Sequence, residues 1–255
     1  MSEPNGSTIT RRTFLRTTAA AAGGVLAAGA VPAKAQAAGA EKTELKRGSV
    51  VLFQGDSITD AGRSRQSSGP NNWAGLGRGY PALLGAALLA DHARLGLKVF
   101  NRGISGNKVP DLAARWKQDA LALKPAVLSI LVGVNDIWHK LAGRYDGTVE
   151  DYRTGYRALL EGTLKDLPGV RVIVCEPFVL RCGAVNDKWF PEFDRRRAVA
   201  RELAGELKLT LVPFQAMFDE AAKQAPPAYW AGDGVHPTLA GHALMAKTWR
   251  EVVGI

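Results

Sequence analysis

The sequence predicts an α/β fold in which helices cover both faces of a five-stranded, mainly parallel sheet, a three-layer α/β/α sandwich. Two observations predict it: five short, almost wholly apolar runs, and longer stretches between them with apolar residues at helical spacing. A third bears on chemistry, because polar, glycine-rich clusters follow successive apolar runs.

The runs are SVVLF, LKVFN, AVLSILV, VRVIVC and LTLVP. They do not alternate polar with apolar residues, as strands buried on both faces do not. Between them, Tyr80 to His92, Asp111 to Leu123, Val149 to Leu167 and Glu192 to Leu207 read as helices. A last helix is expected from about Leu239 to Val253, with Pro237 near its start. Right-handed crossovers then bring the carboxyl ends of the strands to one edge, outside which ligands bind in such sheets. With 46% apolar residues, the chain can build one such domain over residues 49–255, after a lead-in at 36–48.

Residues 1–35 do not belong to that core. Arg11-Arg12-Thr-Phe-Leu-Arg16 precedes an uncharged Ala/Gly stretch and the small-x-small pattern Ala33-Lys34-Ala35, the order of an export signal. The paired arginines resemble the twin-arginine type, which implies cargo exported already folded to an extracytoplasmic or secreted location. Thr17 to Val31 is too short and weakly apolar for a stable membrane span. Removing 1–35 takes away four basic side chains and one acidic one and lowers the formal charge from +9 to +6. That balance suits a soluble basic surface or attraction to acidic polymers. Without a dense Lys/Arg run interleaved with aromatics, it gives no support to nucleic-acid binding. Cys175 and Cys182 could be joined or remain thiols. No Cys/His cluster has metal-site spacing, so no metal site is expected.

Ser57 in GDSITDAG follows the first apolar run, NRGISGN follows the second, and Gly133-Val-Asn135-Asp follows the third, while Asp233-Gly-Val-His236 precedes the last helix. A serine hydroxyl becomes a nucleophile when a base takes its proton, and an imidazole works best as that base when a carboxylate orients it. His236 fits the base and Asp233, three residues before it, the orienting carboxylate. The backbone N–H groups of Ser57 and Gly106 and the side-chain amide of Asn135 are candidate donors to a developing oxyanion. Each piece alone has a plainer reading: a turn capped by Asp56, a βα loop, a helix start, or two metal ligands without a third. Their joint order at successive strand ends favours acyl transfer.

In combination, GDSITDAG, NRGISGN, ILVGVNDIW and DGVHP resemble the four signature blocks of the SGNH, or GDSL-type, serine hydrolases. The similarity runs from about Ser49 to the C-terminus. It implies a flavodoxin-like sandwich, Ser57 as nucleophile, Gly106 and Asn135 as oxyanion donors, and Asp233 and His236 completing a triad. The stretches GLKVFNRGISGNKVPDLAARWKQD and LKPAVLSILVGVNDIWH further resemble bacterial acetylxylan esterase-like carbohydrate acetylesterases. This implies a secreted enzyme removing O-acetyl groups from carbohydrate such as xylan, with no cofactor. A homo-oligomer also fits the resemblance, although no residue pattern supplies its interface. Family relatives acting on lysophospholipids, thioesters or aryl esters supply the alternative activity. A polysaccharide-binding protein without catalysis is the non-enzymatic one.

Asp56, Trp138, Tyr229 and Trp230 are candidate substrate contacts, the aromatics because their faces can stack on sugar rings. Trp73 and Trp189 fit core packing equally well, and Arg63, just after the GDSITDAG block, fits either a substrate contact or a solvated loop. Structural roles are expected for His92, His139 and His242, which lie outside the blocks.

Overall fold

The computed structural model describes residues 44–255, so the expected export signal and most of the lead-in lie outside the described residues. Five strands form one sheet: β1 (Val50–Gly55), β2 (Lys98–Asn101), β3 (Val127–Leu131), β4 (Arg171–Cys175) and β5 (Thr210–Val212). Every pairing is parallel and the spatial order is β2-β1-β3-β4-β5. The five expected strands are therefore the five observed. Because β1 lies between β2 and β3, the winding direction reverses there, and the carboxyl ends of β1 and β3 are where sheets of this kind bind ligands.

The helices are α1 (Ser57–Asp60), α2 (Trp73–Leu76), α3 (Tyr80–Asp91), α4 (Val109–Asp119), α5 (Val134–Leu141), α6 (Val149–Asp166), α7 (Glu192–Glu206), α8 (Phe214–Ala221), α9 (Pro227–Trp230) and α10 (Leu239–Val253). Alternate strand residues divide the core into two layers. Val51, Phe53, Leu131 and Ile173 face α3, α8 and α10 through Leu84, Phe218 and Trp249. Leu52, Leu128, Ile130 and Val174 face α4, α6 and α7 through Leu112, Tyr156 and Leu203. Trp249 is fully buried, and its indole N–H donates to Ser129 Oγ at 3.0 Å, so its one polar atom is satisfied inside the core.

The helix expected at 111–123 begins earlier, at Val109, because Pro110 occupies the first turn, where a missing N–H costs nothing. It stops at Asp119 and a 3₁₀ turn follows at Leu121–Leu123. α5 is not among the expected helices, since it starts inside the polar cluster after β3. The last helix spans the expected residues, with the Thr238 side chain as its N-cap. Of the two readings left open for the cysteines, the free thiols hold: Cys175 is buried in β4 and Cys182 lies in the following loop. Among the described residues, no helix is long and apolar enough to cross a membrane, and no group of three or more His, Cys, Asp and Glu could hold a metal ion.

Candidate active site

β1 ends at Gly55, whose φ is +156° and whose absent side chain matters, because a Cβ there would lie 2.3 Å from the Leu131 carbonyl oxygen. The chain can therefore turn tightly against β3. Asp56 caps the turn, its Oδ1 accepting from the Ile58 N–H at 3.0 Å, and Ser57 becomes the first residue of α1. The N–H at that helical position has no intrahelical acceptor, and among the described residues Ser57 N–H has no partner.

Ser57 Oγ lies 2.8 Å from His236 Nε2, and His236 Nδ1 lies 2.6 Å from Asp233 Oδ2. Asp233 Oδ1 also accepts the N–H groups of His236 at 2.7 Å and Val235 at 2.9 Å. Burial pushes the Asp233 carboxyl up, but these hydrogen bonds outweigh it and hold the group below its ordinary value, so it stays ionised beside the imidazole. The loop is clasped from outside. Leu180 N–H donates to Gly234 O at 2.7 Å and Ala184 N–H to Asp233 O at 2.9 Å.

A second loop, Gly103 to Asn107, faces the serine from the end of β2. Asp60, one turn after Ser57, accepts the Ser105 N–H at 3.0 Å and its hydroxyl at 3.2 Å. Arg63 Nε donates to Gly103 O at 2.7 Å, which makes it a brace and not a solvated loop residue. From α4, Arg115 donates to Asn107 Oδ1 and to Arg102 O, each at 2.8 Å, and to Asp119 at 2.9 Å. Gly106 has φ +83°, and its N–H has no partner among the described residues. Asn135, on α5, donates from Nδ2 to Asn107 O at 3.2 Å, which leaves its second amide hydrogen free. Hydrogen bonds thus join Ser57, His236 and Asp233, and another ties Asn135 to the loop that carries Gly106. Such an arrangement can deprotonate a hydroxyl and offer donors to a developing oxyanion. The braces Asp60 and Arg115 are not singled out by the sequence, and no local signal marks them.

Asp56 does not fit a substrate contact. It is 1% exposed, capping α1, and its Oδ2 has no partner. Burial pushes its carboxyl up to about 7 against the lowering effect of the Ile58 N–H, with nearby Asp136 raising it further. Asp136 is itself buried, accepts the Val109 N–H at 3.2 Å, and is pushed up to about 6, first by burial.

Trp138 is half-buried with its ring 5.7 Å from the His236 ring and 5.5 Å from that of Trp189, which is buried. Tyr229 is 56% exposed at the end of α9. Trp230 is pinned, its indole N–H donating to Ala221 O at 3.0 Å and Ala225 O at 3.3 Å, which gives it a structural duty beside any contact with ligand. Trp73 is 68% exposed. His242 is structural as expected: Nδ1 accepts the Tyr80 N–H at 3.2 Å, and burial, with His236 nearby, pushes it down to about 4. His139, for which a structural role is also expected, stands against Gly106.

Residues 53–244 match the GDSL-like Lipase/Acylhydrolase family. An acetylxylan esterase of Geobacillus stearothermophilus is 38% identical over 209 residues, covering 81% of this chain and 94% of the relative. Among solved structures, one from Parabacteroides merdae described as a GDSL-like lipase has a TM-score of 0.81 and 51% identity, covering 84% of this chain and 99% of that one. Axe2, an acetylxylan esterase of Geobacillus stearothermophilus, has a TM-score of 0.73 and 36% identity, with 83% and 96% covered. Axe2 variants with alanine in place of a serine, an aspartate or a histidine are described as catalytic mutants, and that aspartate precedes that histidine by three positions. With its strand order, its turn at Gly55 and its agreement with these relatives over most of its length, this chain belongs to the GDSL-like lipase/acylhydrolase family and is a carboxylic ester hydrolase.

Proposed function

We propose that this hydrolase removes short acyl groups, foremost O-acetyl groups, from carbohydrate such as xylan or its oligosaccharides, through an acyl-enzyme on Ser57. The observation that carries the mechanism is the continuous run of hydrogen bonds from Ser57 Oγ through His236 to Asp233. Ser57 Oγ attacks the ester carbonyl carbon while His236 Nε2 takes its proton, and Asp233 stabilises the imidazolium. The oxyanion is held by the N–H groups of Ser57 and Gly106 and the amide of Asn135. On collapse, His236 returns the proton to the departing alkoxide oxygen, and the sugar hydroxyl leaves. Water then gives a proton to His236 as its oxygen attacks the acyl carbon, acetate is released, and the proton returns to Ser57 Oγ.

The acetyl-carbohydrate preference draws on the acetylxylan esterase relatives and on the serine, aspartate and histidine named in the catalytic mutants of Axe2. Trp138, whose ring neighbours that of His236, provides a face for a sugar ring. Export by the twin-arginine route is part of the same proposal and rests on residues 1–35 alone.

The test is acetate release from acetylated xylan by the wild-type protein and by Ser57→Ala, beside p-nitrophenyl esters from acetate to octanoate. Release that requires Ser57, with rates falling beyond short chains, is expected. An active Ser57→Ala protein would overturn the nucleophile assignment. An untouched polysaccharide with cleaved long-chain esters would move the substrate to lipids or thioesters.

A further inference from the structure

We infer that His139 is a specificity-determining substrate contact that reads a free hydroxyl of the carbohydrate next to the scissile ester. The inference rests on the acetyl-carbohydrate reading above and adds a residue and a substrate feature to it.

The placement follows from helix geometry. Residues three and four apart share one face of a helix, so Asn135, Trp138 and His139 form a single face of α5. Asn135 donates into the oxyanion loop at Asn107, Trp138 neighbours the His236 ring, and His139 approaches Gly106. A Cβ on Gly106 would lie 3.7 Å from His139 Cε1 and 3.9 Å from Nε2. The imidazole thus borders the proposed oxyanion site, on the face that also carries the proposed donor and the aromatic platform.

What His139 lacks is as informative as where it stands. A structural histidine spends its nitrogens inside the protein, as His242 does on the Tyr80 N–H. Neither ring nitrogen of His139 has a hydrogen-bond partner among the described residues, and the residue is half-buried. Burial, together with the cations Lys108 and Arg144, lowers its pKa against the weaker pull of Asp111, which favours the neutral ring. A neutral imidazole offers one N–H donor and one lone pair, the pair of functions that a hydroxyl accepts from and donates to. The neighbouring Lys108 donates from Nζ to Asp111 at 2.7 Å and stands over the Tyr145 ring, 5.1 Å from its centroid, and as an ammonium it can donate to a hydroxyl but not accept from one. An acetyl ester whose neighbouring sugar carbon carries a free hydroxyl matches the neutral ring; a fully acetylated sugar does not.

The experiment measures kcat/KM of wild type, His139→Ala and His139→Gln on three substrates. These are p-nitrophenyl acetate, a mono-O-acetyl xyloside with a free adjacent hydroxyl, and the same xyloside with that hydroxyl methylated. For His139→Ala we expect p-nitrophenyl acetate hydrolysis within about twofold of wild type and a loss of about 10- to 100-fold on the monoacetyl xyloside, the range for a hydrogen bond to a substrate hydroxyl. Discrimination against the methylated xyloside should collapse, and His139→Gln, which keeps a donor and an acceptor, should restore part of it. Equal losses on all three substrates would make His139 a positioning residue and overturn the inference, as would unchanged discrimination. A wild type that cleaves p-nitrophenyl acetate but neither xyloside would overturn the carbohydrate reading, and this inference with it.

Discussion

Replacing Asp56 by asparagine should change stability in a pH-dependent way, the variant gaining on the wild type as the pH rises from about 4 to about 7. The new side chain would keep the acceptor that caps α1, because only Oδ1 is used there, and its amide nitrogen would take the place of an oxygen that already has no partner. The carboxyl it replaces is pushed from its ordinary 3.8 to about 7, chiefly by burial. In the unfolded chain Asp56 ionises near its ordinary value, so between about pH 4 and pH 7 folding takes up a proton. Folding stability therefore falls as the pH rises through that window and levels off above it. The full difference corresponds to about 4 kcal/mol. A buried amide donor without a partner costs about 1–3 kcal/mol, but at every pH, so it shifts the variant without changing the slope. Urea unfolding of both proteins from pH 4 to pH 8 measures the gap between them. The gap should move in favour of Asp56→Asn by about 2–4 kcal/mol across the window. Parallel stability curves would refute the reasoning, since they would mean that Asp56 ionises in the folded protein as easily as in the unfolded chain.

Other outcomes can be checked with standard assays. Asn135→Ala should lower kcat on p-nitrophenyl acetate by about 10²–10³ with KM little changed, because its free amide hydrogen acts on charge that develops only in the transition state. Arg115→Met unties Asn107, the Arg102 carbonyl and Asp119 together; a thermal melt should show a loss of about 2–3 kcal/mol, and kcat should fall by about tenfold as the Gly106 loop loosens. In thiol titration, native protein should expose Cys182 alone and denatured protein both cysteines, because Cys175 is fully buried and pushed up to about 12 by that burial.

The strands can be read from the sequence because two covered faces demand continuous apolar runs, and the reactive residues because each cluster sits just past such a run. What stays hidden has a common cause. Asp60 reaches Ser105 across 45 positions, and Arg115 reaches Gly55 across 60, so no local spacing announces either brace. α5 is concealed because its first turn is the polar cluster itself, and with it the shared face of Asn135, Trp138 and His139. Asp56 misleads for a related reason. Its place in the block beside Ser57 suggests a ligand contact, while the tight turn at Gly55 buries its side chain.

The parallel sheet also fixes how this enzyme can be attached to other things. β1 begins at Val50 on the edge away from Ser57, and α10 starts just after His236 and runs back for 15 residues, about 22 Å. A graft at either point, to a fibre, a bead or a second enzyme, would leave the crevice pointing outward, open to a polymer too large to diffuse freely.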